Sequence, residues 1–172
     1  MSYGGKHIVF VYGTLKTGLR NHEVMTNPHE GLAKFLGSGE TVLRYPMVVN
    51  EEFHVPFLLH REGEGEHIEG ELYQVDDAKL SSLDHLEGHP HFYQRLVTRV
   101  KTSGKDFPPT VTSLADAGSV VEAWTYFIMS FRQELLDLPK LKSYSSTVIY
   151  KVAPEEMERR RLKLRMFVRG SS

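Results

Sequence analysis

The stretch "GEGEHIEGELYQVDDAKLSSLDHLEG", residues 63–88, changes period partway, and that change sets the fold class. From Ile68 to Val75, Ile68, Gly70, Leu72 and Val75 interleave with Glu and Gln, roughly the alternation of a strand with one buried face. From Asp76 the spacing becomes helical. Leu80, Leu83 and Leu86 recur every third residue, behind an Asp76 or Asp77 able to cap the first turn. Gly88 and Pro90 stop the run, so the pattern predicts a strand followed by a helix of about two to three turns.

Outward from this unit, strands dominate. "HIVFVYG" (7–13) is β-branched and aromatic, and reads as a buried strand entering a turn at Gly13. "YPMVVN" (45–50) and "VPFLLHR" (55–61) flank a short polar break and read as a hairpin, while "YQRLVTRVKT" (93–102) and "VVEAWTYFIM" (120–129) read as further strands. Residues 102–119 hold two prolines, two glycines and many small polar side chains, and are expected to form a loop. The basic tail, 151–172, is predicted to be helical from Pro154, with Glu155 and Glu156 in its first turn. Many strands with a few short helices imply an α+β fold, with the sheet curled or barrel-like.

Length and composition narrow the class. At 172 residues, one domain over 1–172 with its core in about 8–150 is expected. A net charge of −1 gives no global pull toward nucleic acid or anionic lipid. The absence of cysteine excludes disulfides, thiolate nucleophiles and thiolate metal sites. Neither a signal peptide nor a bilayer-spanning apolar run is seen, so a soluble cytoplasmic protein with no membrane partner is expected.

"LDHLEGHPHFYQR" (83–95) raises the question of a metal, because His85, His89 and His91 crowd around Glu87. His85 and His89 have the zincin spacing, but Glu87 stands two residues after His85, where a helix would turn it away from the pair. Gly88 and Pro90 also break the helix that would have to hold the second ligand. "HLE" (85–87) matches the start of the zinc deaminase signature, which needs a later C-x-x-C that this chain lacks. No metal and no cofactor are expected. "VFVYGTLKTG" (9–18) spaces Gly13 and Gly18 as in a P-loop, yet Leu19 and Arg20 follow where Lys and Ser/Thr are required. What remains is a strand-end turn whose Gly13, Thr14 and Leu15 amides can point one way, a concavity suited to a carboxylate or a developing oxyanion.

Taken together and in order, "FVYGTLK", "YPMVV", "VPFLLH", "EGELYQVD", "LDHLEGHPHFYQR" and "SYSS" resemble the gamma-glutamyl cyclotransferase superfamily, most closely its gamma-glutamylamine branch, over about residues 8–150. The resemblance implies a small mixed β-barrel with a few flanking short helices. It also implies cofactor-free release of 5-oxoproline from a gamma-glutamyl amine, most specifically gamma-glutamyl-ε-lysine, which gives free lysine. By position it assigns the substrate loop to Tyr12, Gly13, Thr14 and Leu15, the acid/base to Glu87, and a binding tyrosine to Tyr144. Residues 102–123 and the tail after about 150 depart from the family.

This chemistry suits a lone carboxyl group. The substrate's α-amine closes a five-membered ring onto its own γ-carbonyl, so the protein's task is to select the folded conformer. One carboxyl can take the amine proton and return it to the leaving nitrogen, and desolvation at Glu87 would raise its pKa toward neutrality. Tyr93 and Arg95 are expected to be structural, with Arg95 pairing a carboxylate, and Asp84 to face another side than Glu87. Three other readings stand beside this one. The first is a cyclotransferase for glutathione or gamma-glutamyl dipeptides; the second is a non-catalytic binding protein on the same fold. In the third, the six cations of "RRRLKLRMFVR" (159–169) touch RNA or acidic lipid, although the preceding "PEE" offers intramolecular partners, and no nucleic-acid partner is expected. The favoured state is a monomer acting on a small gamma-glutamyl substrate.

Overall fold

The computed structural model describes residues 7–103, 119–145 and 154–170. Its strands are β1 (His7–Val11), β2 (Ala33–Tyr45), β3 (Met47–Asn50), β4 (Val55–Leu58), β5 (Glu66–Val75), β6 (Tyr93–Thr102) and β7 (Val120–Ile128). The helices are α1 (His22–Thr26), α2 (Asp77–Glu87) and α3 (Pro154–Arg169), with 3-10 turns at Pro28–Glu30 and Gln133–Asp137.

Five strands close into a barrel in the order β1-β5-β2-β6-β7. Neighbours pair antiparallel except at the seam, where β1 meets β7 in parallel at Val9 and Trp124. β3 and β4 form the expected hairpin, which is joined to the barrel by a parallel bridge between Leu59 and Ile128. The barrel with its few short helices is the α+β architecture implied by the period change at Val75.

Strand alternation divides the apolar residues of β1 between two cores. Phe10, with the following Tyr12, joins Leu36, Ile68, Leu72, Val100 and Phe127 in a cluster to which, among the described residues, no helix contributes. Val9 and Val11 point the other way and meet Met25 of α1, Leu80 and Leu83 of α2, and Val168 of α3. Each such Leu, Val or Phe removed from water contributes roughly 1.5–3 kcal/mol, so the helices are held by the barrel's outer face rather than by propensity.

α2 forms as its sequence predicts. Asp76 caps it by accepting from the Lys79 N–H (2.8 Å), and Leu80 and Leu83 are buried while Leu86 is partly so. Gly88 ends it in the left-handed conformation at φ 67°, where its N–H can reach back to the last carbonyls. Lys79 turns inward, and its Nζ donates to the carbonyls of Val24 and Asn27 (3.0 Å to Asn27), which ties α2 to the end of α1. α3 begins at Pro154 with Glu155 and Glu156 in its first turn.

Two elements were not foreseen, α1 and the 13-residue β2, the barrel's longest strand. The loop expected over 102–119 begins where β6 ends; the Thr102 N–H donates to the Ser119 carbonyl (2.8 Å), and residues 104–118 lie outside the described part. Among the described residues no helix is long and apolar enough to cross a membrane.

Candidate active site

β1 stops at Val11, and the chain enters a run of turns in which the Gly13 carbonyl accepts from the Lys16 N–H (3.1 Å). Asn21 braces this turn twice: its backbone N–H donates to the Thr14 carbonyl, and its side-chain amide donates to the Thr14 hydroxyl, both at 2.9 Å. His22 Nδ1 sits 2.9 Å from the Leu15 carbonyl. Among the described residues, the N–H groups of Gly13, Thr14 and Leu15 have no backbone or side-chain acceptor. Gly13 is required here for space rather than for φ. A Cβ on it would stand 2.8 Å from Pro56 Cγ, while its φ lies outside the left-handed region.

Glu87 arrives from the opposite side as the last residue of α2. The turn and this carboxyl open onto one cavity of about 350 Å³, lined by Tyr12, Gly13, Thr14, Leu15 and Glu87 together. Pro56 and Phe57 of β4, Phe92, Tyr93 and Tyr126 complete its apolar wall. Burial raises the Glu87 carboxyl from its ordinary 4.5 to about 7. Glu87 in turn acts on the tyrosines around it. Burial first, and then the Glu87 charge, pushes Tyr12 well above its ordinary value; Tyr93 and Tyr126 also feel that charge among other causes.

Those tyrosines are committed to structure. The Tyr12 hydroxyl donates to the Tyr126 carbonyl (2.6 Å), and the Tyr93 hydroxyl donates to the Pro56 carbonyl (2.9 Å). Tyr12 therefore presents its ring to the cavity, its hydroxyl proton being taken by the Tyr126 carbonyl. Tyr144 is not brought to the cavity. It is buried, its hydroxyl donates to the His54 carbonyl, and it lines a separate hollow with Val49 and Leu138.

Asp84, one turn before Glu87, faces elsewhere and has the opposite electrostatics. Arg95 grips it through Nε and Nη2 (2.7 and 3.1 Å), and Tyr126 donates to it at 2.7 Å. Burial pushes its carboxyl up, but these hydrogen bonds and the Arg95 charge outweigh burial and bring it below its ordinary value. Two carboxyls on one helix are thus set apart, one held ionised and the other poised near neutrality. The histidines have other contacts. His89 Nδ1 accepts from the Arg95 N–H (3.2 Å), the His91 carbonyl accepts from Arg169, and His85 lines the cavity. Among the described residues no group of three or more His, Asp or Glu side chains could hold a metal ion.

Sequence reasoning missed one wall. Arg20 of the turn, and Met157, Arg160, Arg161, Leu164 and Arg165 of α3, also line the cavity. The signal was present, because 157, 160, 161, 164, 165 and 168 fall on one helical stripe, but arginine fills half of it and an apolar pattern search passes over it.

Comparison with known proteins identifies the family. The family model described as "Gamma-glutamyl cyclotransferase, AIG2-like" matches residues 9–146. A Homo sapiens protein named gamma-glutamylaminecyclotransferase is 40% identical over 144 residues, covering 81% of this chain and 90% of the relative. The Rattus norvegicus protein of the same name is 39% identical over 138 residues, covering 80% and 89%. The crystal structure of an aig2-like protein from Mus musculus superposes with a TM-score of 0.74 at 36% identity, covering 86% of this chain and 97% of that one. The turn and the acid that share the cavity both lie within the matched span, and the chain belongs to the gamma-glutamyl cyclotransferase, AIG2-like family.

Proposed function

We propose that the protein converts gamma-glutamyl amines, gamma-glutamyl-ε-lysine first among them, into 5-oxoproline and the free amine, with Glu87 as the proton carrier. The observation that carries this reading is the placement of one carboxyl, titrating near neutrality, in the same cavity as the Tyr12–Leu15 turn.

In this scheme the amides of Gly13, Thr14 and Leu15 hold either the glutamyl α-carboxylate or the oxyanion that develops on the γ-carbonyl. The apolar walls formed by Phe57 and Phe92 exclude water and favour the folded substrate conformer. Ionised Glu87 takes a proton from the α-amine as its nitrogen bonds to the γ-carbon. The γ C–N bond then breaks, and the same carboxyl returns the proton to the departing nitrogen. Atoms balance without water, oxidant or external nucleophile. A carboxyl at about 7 serves both directions better than one at 4.5, because each protonation state is populated near neutral pH.

Glu87→Gln is expected to keep the fold and lose 5-oxoproline release by ~10²-fold or more, the usual effect of removing a general acid/base. Near-normal turnover by that variant would overturn the assignment. A competition panel of gamma-glutamyl-ε-lysine, glutathione and gamma-glutamyl-alanine tests the leaving amine, with the isopeptide expected to be consumed first.

A further inference from the structure

The cavity is charged in one direction. Arg20, Arg160, Arg161 and Arg165 line it, against the single carboxylate of Glu87 among its described lining residues. Three of these arginines belong to α3, which lies beyond the span of 9–146 that the family model matches. Each of the three is placed by contacts of its own. Arg160 stacks over the Phe53 ring (4.7 Å) and donates to the Phe53 carbonyl (3.5 Å), Arg161 pairs with Glu158 (3.1 Å), and Arg165 lies over the Phe92 ring (5.9 Å). A guanidinium has five N–H donors and no acceptor, so such a wall attracts carboxylates and repels ammonium groups.

We infer that the α3 arginines form a subsite for a carboxylate on the leaving amine, so that the enzyme prefers gamma-glutamyl amides whose distal end is anionic and discriminates against those whose distal end is cationic. This deepens the cyclotransferase reading and rests on it. In gamma-glutamyl-ε-lysine the α-carboxylate of lysine stands at the far end of a flexible chain from the scissile bond. The glutamyl half occupies the turn and Glu87, which directs that far end away from them and toward α3. Phe92, beneath Arg165, together with Met157 and Leu164, supplies apolar surface for the intervening methylenes. A diamine amide would instead bring an ammonium among guanidiniums.

The test is a charge series on one chain length: the gamma-glutamyl amides of 6-aminohexanoate (anionic end), lysine through its ε-amine (zwitterionic), n-pentylamine (neutral) and cadaverine (cationic). Release of 5-oxoproline gives kcat/KM for each. The expected order is anionic first and cationic last, with the extremes apart by ~10-fold or more, the effect of one charge-assisted hydrogen bond. In the triple variant Arg160→Gln, Arg161→Gln, Arg165→Gln the ratio of anionic to cationic amide is expected to fall toward one. A ratio measured within one sample does not depend on how much of the protein is folded. Equal rates across the series in the natural protein would overturn the inference, as would an unchanged ratio in the triple variant. Turnover of none of the four amides would overturn the cyclotransferase reading and this one with it, an outcome distinct from unranked turnover.

Discussion

In the proposed reaction Glu87 is the residue whose burial tunes the chemistry, and the same burial has a cost that can be measured. Its carboxyl titrates at about 7 in the fold against an ordinary 4.5, so between those values the folded state binds more protons than the unfolded one. Stability therefore falls as pH rises from 4.5 to about 7, and the loss persists above. Glu87→Gln cannot ionise and should escape it. The variant is expected to be more stable than the natural protein by ~1–3 kcal/mol at pH 8, with the difference gone at pH 4, as read by urea unfolding at each pH. Asp84 carries the opposite sign. Its pKa is depressed, so its stabilisation is present above the ordinary carboxylate value and is lost only as pH falls through the lower folded value. Arg95 and Asp84 are only 19% and 21% exposed, so Asp84→Ala strands a half-buried guanidinium and should cost ~2–4 kcal/mol at pH 7. That penalty should shrink in strong acid, where the natural carboxyl also loses its charge.

The elements differ in how openly the sequence states them. α2 was legible to within a residue because its cap, its leucine spacing and its Gly88 stop all agree. β1, β5 and β7 showed the alternation or the apolar run of barrel strands, and β6 its alternating Val and Thr. β2 was not legible, and the pairing explains why. Its register with β5 shifts between Phe35 and Gly37 and again between Glu40 and Arg44, so the apolar residues of "AKFLGSGETVLRY" change phase twice. The site divides the same way. Glu87 and the Tyr12–Leu15 turn sit at ends of regular elements, where motif and element boundary coincide, whereas Tyr144 and the α3 wall are placed by contacts far along the chain. The turn itself carries a prediction. Gly13→Ala presses its Cβ onto the Pro56 ring at 2.8 Å, which should tilt the amides and raise KM more than it lowers kcat. Adding Pro56→Ala makes room and should recover part of that loss. No recovery in the double variant would mean that Gly13 is needed for something other than this contact.

At the scale of the whole molecule, α3 closes one side of a cavity whose other walls come from the turn after β1, from β4 and from the end of α2, and the helix's attachment is concentrated at its C-terminal end. The Arg132 Nε donates to the Phe167 carbonyl (2.6 Å) and its N–H to the Val168 carbonyl (2.8 Å), and its guanidinium lies over the Phe167 ring at 5.5 Å. Phe167 packs on Phe57 of the cavity wall (5.9 Å between rings), Val168 is fully buried, and Arg169 donates to the His91 carbonyl. Toward its N-terminal end α3 is largely exposed and is held by rim contacts, Arg160 on Phe53 and the Lys163–Glu52 pair at 3.8 Å, which are individually weak. The helix should therefore open from its N-terminal end while its last turn stays docked. Native-state hydrogen exchange is expected to show amides of 158–163 exchanging faster than those of 166–169, and both faster than the β5 amides at the centre of the sheet. Arg132→Ala removes the side-chain donor and the stacked cation at the docked end, and should raise exchange along all of α3 by ~10-fold or more while leaving β5 unchanged. If the variant instead loosens β5 to the same degree, α3 and the barrel open as one cooperative unit and the wall does not move independently of the frame.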